Sequence, residues 1–230
     1  MRQTRAVLDI ETVGVPFESL DAPTKEYFLR RASSPEEEEE VKTSLGLYPL
    51  TGFVVAIGLF DPDTQKGAMY YQSPGSEPTL PLEEDGILYE TGTEGEILRK
   101  FWNYVKDLKS VITYNGRGFD CPYLLVRSAA HRIKPTRQLM PNRYSSDAHI
   151  DLMDRLSYFG SVRRNFSLDM WCRAFGIKSP KEVVHGSEVG RLFSEGRHLD
   201  IARYCARDIR ATSELFTIWE EYISWVPSRQ

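Results

Sequence analysis

Ala6–Val7–Leu8–Asp9–Ile10–Glu11–Thr12 is a short apolar run interrupted by two carboxylates. Its composition reads as a buried β-strand. Side chains alternate across a strand, so Asp9 and Glu11 point to the same face, two residues apart. Two acids on a core strand are costly to bury unless something positive sits between them. A hard divalent cation meets that need, because carboxylate oxygens suit magnesium and manganese. A solvated strand end is the alternative, so the rest of the chain must be searched for further ligands.

The chain has 230 residues, 41% of them hydrophobic, which predicts one domain with a sizeable core. Its net charge of −4 offers no global basic field, so binding of a polyanion would need a local patch or metal ions. Cys121, Cys172 and Cys205 are far apart and odd in number, which indicates neither a disulfide framework nor a zinc ribbon. A reduced, cytoplasmic setting is expected. No signal peptide is read at the N-terminus, and no apolar run reaches membrane-spanning length.

Outward from the first strand, residues 24–32 look helical, and Ser34–Pro35 followed by Glu36–Glu40 is a helix start with acids in its first turn. Phe53–Phe60 reads as a buried strand, 61–67 as a turn and Ala68–Tyr71 as its hairpin partner. Residues 73–86, rich in Pro, Gly and Glu, read as a surface loop. Surface insertions are expected near 24–46 and 73–92. Residues 94–108 place Ile97, Phe101, Tyr104, Val105 and Leu108 on one helical face, and Val111–Tyr114 is another strand. The second half is mostly helical. Ser167–Gly176 has a cap, an apolar stripe and a terminal glycine. The whole predicts an α/β fold with a mixed sheet flanked by helices.

Two further acidic segments follow. After the Val111–Tyr114 strand, Asn115–Gly116 permits a sharp turn, and Asp120 falls at a helix start. Asp120 is either an N-cap or a third carboxylate returned to the Asp9/Glu11 strand end, where sites of open α/β sheets gather. Residues 199–223 form the longest helical pattern, with a stripe from Ile201 through Cys205, Ile209 and Phe216 to Trp219, Tyr222 and Ile223. Tyr204 and Asp208, one turn apart, adjoin that stripe. They form a possible catalytic pair, unless Asp208 simply pairs with Arg207 or Arg210.

Together, Asp9–Ile10–Glu11, Asn115–Gly116–Arg117–Gly118–Phe119–Asp120 and Tyr204–Cys205–Ala206–Arg207–Asp208 resemble the three motifs of the DEDD superfamily of 3′–5′ exonucleases, in its tyrosine subgroup. The second motif, Ile150–Asp151–Leu152 and the helical tail are most similar to the proofreading exonuclease domain of family-B DNA polymerases, here without a polymerase region. The resemblance spans almost the whole chain and implies an RNase H-like fold. It implies that Asp9, Glu11, Asp120 and Asp208 hold two Mg2+ or Mn2+ ions for phosphodiester hydrolysis at a 3′ end, releasing nucleoside 5′-monophosphates. Tyr204 would orient or help deprotonate the water. Asn115, by hydrogen bonding, and Phe119, by packing or stacking, would be substrate-side. The implied partner is nucleic acid, DNA favoured and RNA possible.

Two other readings stay open. A catalytically silent nucleic-acid-binding module could keep the same fold, although four clustered acids serve no purpose there. His149–x–Asp151 with His185 or His198 mimics the 2-His-1-carboxylate triad of iron oxygenases, but that arrangement needs flanking strands, whereas the surroundings read as helical. Gly116–Arg117–Gly118 lacks the third glycine of a dinucleotide-binding loop. Arg117, Arg127, Arg132, Lys134, Arg137, Arg143, Arg163 and Arg164 are candidate phosphate contacts, best in the stretch 132–143. Lys178–Pro180–Lys181 and His185–Gly186 would form a loop bordering the site.

Overall fold

Odd and even residues of the first strand face different layers. The computed structural model describes residues 4–75, 81–144, 147–179 and 188–224. Within them, β1 (Arg5–Gly14) sends Val7 and Val13 into one core with Ile201, Ala202, Cys205 and Ile209 of α8 (His198–Ile218). Ala6, Leu8 and Ile10 enter a second core with Ile97, Phe101 and Val105 of α3 (Glu94–Val105) and with Cys121 and Leu124 of α4 (Asp120–Ala130). Each fully buried large apolar side chain contributes about 1.5–3 kcal/mol. Asp9 and Glu11 share the odd face and therefore look toward α8.

The sheet among the described residues has seven strands. Besides β1 they are β2 (Gly52–Asp61), β3 (Lys66–Tyr71), β4 (Leu82–Glu84), β5 (Ile87–Thr91), β6 (Ser110–Thr113) and β7 (His149–Asp151), in the order β4-β5-β3-β2-β1-β6-β7. β1 is antiparallel to β2, with a register shift between Glu11 and Thr12. It is parallel to β6, which is parallel to β7. The C-terminal ends of β1, β6 and β7 consequently lie on one edge. This is the mixed α/β sheet, RNase H-like in arrangement, that the motifs imply.

Local chemistry sets the helix starts, those at Ser34 and Ser167 as read from the sequence. Ser34 accepts from the Glu37 amide at the start of α2 (Pro35–Thr43). Thr93 and Glu96 form a reciprocal capping box on α3. Ser167 caps α6 (Leu168–Phe175), which ends on Gly176 at φ 70°.

Two expectations are corrected. Residues 82–86 are not all loop: β4 pairs with β5, and β5 lies parallel to β3, so this stretch extends the sheet. The apolar stripe of the last helix loses Tyr222, while Trp219 and Ile223 stay partly buried against the core. A π-turn, Trp219–Ile223, follows α8, and its wider spacing turns Tyr222 outward to 74% exposure. His149 and Asp151 lie on the short strand β7, and the helical surroundings read from the sequence are present at Leu152–Leu156 and in α6. No helix among the described residues is long and apolar enough to cross a membrane.

Candidate active site

β1 delivers Asp9 and Glu11 to the C-terminal edge of the sheet, and α8 closes over them. On β2 the residue paired with Asp9 is Gly58. A Cβ there would come within 3.0 Å of Cys205 Sγ and Ile209 Cγ2. The glycine thus permits the close approach of α8, and Cys205 Sγ sits 3.6 Å from Asp9 Oδ2.

Asp120 reaches the site from the first turn of α4. Parallel pairing of β1 with β6 stops at Val7, which leaves the amide of Ile10 without a strand partner on that side. Asp120 Oδ1 accepts from that amide at 3.0 Å. The loop before it is held by Asp151, whose carboxylate accepts from the amides of Asn115 and Arg117 at 2.9 Å and of Met153 at 3.0 Å. Asn115 takes the left-handed conformation, φ 63°. Gly116 packs where a Cβ would fall 2.5 Å from the Thr113 side chain. Asp151 is therefore the brace of this loop.

Tyr204 and Asp208 come from α8, one turn apart, and the Tyr204 hydroxyl hydrogen-bonds to the Asp208 carboxylate. Burial, then the neighbouring acids, pushes the Tyr204 phenol far above its ordinary range, so it is an O–H donor. Between them Arg207 lies with its guanidinium 5.7 Å from the Tyr204 ring, its Nε and Nη2 buried without hydrogen bonds. Arg207 favours the ionised form of Glu11.

Electrostatically the acids act as one group. Burial, followed by repulsion from Asp120, Asp208 and Glu11, raises Asp9 well above the carboxylate range. Glu11 is raised in the same way by burial, then by Asp208 and Asp120. Burial also pushes Asp120 up to about 7, against the opposing pull of its backbone hydrogen bonds. Ligand atoms of Asp9, Glu11 and Cys205 lie within 4.8 Å of one another. Burial drives the Cys205 thiol well up too, so it remains an S–H donor to Asp9 rather than a thiolate. The available donors are carboxylate oxygens, which fit a hard divalent cation.

The structure brings Asp9, Glu11, Asp120, Tyr204 and Asp208 together. It sets Asn115 at the lip beside Asp151, and packs the partly buried Phe119 ring against Tyr123 at 5.4 Å. Several of the basic candidates serve the fold instead. Arg127 binds buried Glu94 through Nε at 2.8 Å and Nη2 at 2.7 Å, and Arg137 donates to the carbonyls of Leu108, Lys109 and Ala148. The iron triad is not formed among the described residues. His149 bonds Thr113 and the Leu139 carbonyl, and His198 lies at the start of α8 near Ser73 and Phe193. His185, and the Pro180, Lys181, His185 and Gly186 part of the expected bordering loop, fall outside the described residues. The sequence reading missed Gly58, Cys205 and the role of Arg207.

This fold is found in solved polymerases. The chain matches the family B DNA polymerase of the hyperthermophilic archaeon Pyrobaculum calidifontis with a TM-score of 0.58 at 19% identity, over 93% of this chain and 24% of that one. The protein belongs to the family described as predicted 3′–5′ exonucleases related to the exonuclease domain of PolB, whose model matches residues 85–223. Among curated relatives, a DNA polymerase of Desulfurococcus sp. (strain Tok) is 28% identical over 94% of this chain and 29% of the polymerase. A DNA polymerase of Thermococcus gorgonarius is 31% identical over 54% of this chain and 18% of the polymerase. The chain thus spans less than a third of the length of these relatives.

Proposed function

We propose that this protein is a metal-dependent 3′–5′ exonuclease that hydrolyses the terminal phosphodiester of a nucleic-acid 3′ end, single-stranded DNA favoured, and releases nucleoside 5′-monophosphates. The observation that carries this reading is the convergence of Asp9, Glu11 and Asp120, three acids raised by burial and repulsion from neighbouring carboxylates, with the Tyr204–Asp208 pair. The catalytic set is Asp9, Glu11, Asp120, Tyr204 and Asp208. The four carboxylates would hold two divalent ions, Mg2+ or Mn2+, which when bound supply Lewis-acid charge for an in-line phosphoryl displacement.

The protein's own groups would do the rest. Tyr204, with its O–H donated to Asp208, would accept a hydrogen bond from the attacking water through a phenol lone pair and so orient it. The water adds at phosphorus, the P–O3′ bond breaks, and the shortened strand keeps a 3′ hydroxyl. Asn115 would hydrogen-bond the terminal nucleotide, and Phe119 would support it by packing.

A 5′-labelled single-stranded DNA oligonucleotide incubated with Mg2+ or Mn2+ tests this. The expected result is a one-nucleotide ladder shrinking from the 3′ end, lost in Asp9→Ala. Absence of cleavage of both DNA and RNA overturns the reading in favour of a silent binding module.

A further inference from the structure

Three arginines lie along α8 around the Tyr204–Asp208 pair, and two of them serve the fold. Arg203 grips Glu84 with the side edge of its guanidinium, Nε at 2.9 Å and Nη2 at 2.5 Å. Arg210 donates through Nη2 to the Asp85 carbonyl and lies over the Phe60 ring at 4.9 Å. Both tie α8 to the β4–β5 hairpin.

Arg207 is the third. Its Nε and Nη2 are buried with no hydrogen bond among the described residues. This is the same edge with which Arg203 holds Glu84 and Arg127 holds Glu94. Two parallel N–H donors on that edge match two oxygens of one anion. Arg207 thus presents a fork shaped for an oxyanion and joined to none. Stacking over the Tyr204 ring at 5.7 Å holds the guanidinium without using those donors.

Two anions compete for the fork. Glu11 feels the charge of Arg207, which favours its ionised form, so one role is that of a counter-charge. A residue kept for that alone would bond the carboxylate, because a buried guanidinium donor without an acceptor is costly. Glu11 accepts from neither Nε nor Nη2. A phosphate fits better. Four carboxylates and two divalent ions sum to no net charge. A phosphodiester then brings one negative charge that they leave unmatched, and attack by water concentrates charge on the phosphoryl oxygens. Arg207 supplies a fixed positive charge beside Asp208, stacked on the tyrosine that would orient that water.

We infer that Arg207 is a phosphate-binding catalytic residue, whose Nε–Nη2 edge donates to the non-bridging oxygens of the scissile phosphate. The inference rests on the proposed exonuclease reading and deepens it. Arg207 takes no proton and forms no covalent bond. Water still adds at phosphorus and the P–O3′ bond still breaks, while the guanidinium stabilises the charge on the oxygens between them.

The test uses Arg207→Gln, which removes the charge, and Arg207→Lys, which keeps the charge but loses the fork. Binding of thymidine 5′-monophosphate and of thymidine, which differ by the phosphate alone, is measured by isothermal titration calorimetry with Mg2+. kcat and KM are measured on 5′-labelled oligo-dT. The wild type is expected to prefer the monophosphate. Arg207→Gln is expected to reduce that preference about tenfold, with thymidine binding unchanged. It is expected to lower kcat about 100-fold, the size of one oxyanion donor, with KM changed little. Arg207→Lys is expected to lose part of both. An unchanged preference in Arg207→Gln overturns the inference, even where kcat falls, and leaves Arg207 a counter-charge to Glu11. An unchanged kcat overturns it as well. Should the glutamine variant fail to fold, the lysine variant decides, because wild-type preference and kcat in Arg207→Lys overturn the fork. A wild type that binds the monophosphate no better than thymidine also overturns the contact. The wild-type ladder assay stands or falls separately: no ladder, with a monophosphate preference that still depends on Arg207, keeps the phosphate contact and removes the exonuclease reading alone.

Discussion

Asp120 spans from the start of α4 to the backbone of β1, accepting the Ile10 amide at 3.0 Å. One side chain therefore supplies an acid to the site and a hydrogen bond to the strand that carries two others. Asp120→Asn keeps an acceptor and removes a charge from a repulsive group; Asp120→Ala removes both. In metal-free urea unfolding, Asp120→Asn is expected to be at least as stable as wild type, and about 1–3 kcal/mol more stable than Asp120→Ala, the cost of an unpaired buried amide. Both should lack exonuclease activity. Equal stability of the two variants would deny the Ile10 bond any structural weight.

Gly58 sets the distance between β2 and α8. Gly58→Ala places a methyl group 3.0 Å from Cys205 Sγ and Ile209 Cγ2 and 2.9 Å from Met69 Cε. The expected cost is about 1–3 kcal/mol by thermal unfolding, as for other overpacked cores. Activity should fall further than stability, because α8 carries Tyr204 and Asp208. Adding Cys205→Ala removes one of the obstructing atoms and should restore part of both, which a double-mutant cycle measures.

Stability should depend on pH through His149, which is buried between Thr113 and the Leu139 carbonyl. Burial lowers its pKa from 6.5 to about 4. Between those values the unfolded imidazole binds more protons than the folded one, so the His149 contribution rises with pH across that window, opposing the fall that the raised Asp9, Glu11 and Asp120 carboxyls impose there. The full effect is about 3 kcal/mol. His149→Asn should lose that rising contribution, so its unfolding free energy at pH 6.5 relative to pH 4.5 falls below the wild-type difference, measured in denaturant at each pH.

Tyr204→Phe tests whether the hydroxyl orients or titrates. A protonated donor held by Asp208 positions water without exchanging protons, so the variant should lose up to about 100-fold in kcat. The shape of the kcat–pH profile should be unchanged. Loss of a basic limb in the variant would instead mark Tyr204 as a proton acceptor.

What was legible in the sequence was whatever repeats along the chain. Alternation put Asp9 and Glu11 on one face, and helical spacing joined Tyr204 to Asp208. The caps at Ser34 and Ser167 are local hydrogen-bonding devices with short signatures, whereas the equally local Thr93–Glu96 box was not read. Gly58 and Cys205 were not legible, because a close approach between β2 and α8 is a property of two distant segments and leaves no period in either. β4 escaped because a three-residue edge strand shows no alternation, and its flanks carry the composition of a loop. The outward turn of Tyr222 follows from one π-turn that no spacing rule anticipates. Arg127 and Arg137 read as candidate phosphate contacts until Glu94 and three carbonyls, all on other segments, are seen to hold them.

The acidic cluster also has a history in time. The contact between Asp120 and Ile10 closes a loop of 110 residues, and that between Cys205 and Asp9 one of 196. Each closure carries an entropic cost that only the assembled cores offset. During synthesis Asp9 and Glu11 emerge first and wait for α8, so a growing chain has no assembled acidic site until that helix is made. Unfolding likewise disperses the acids to remote parts of the chain at once.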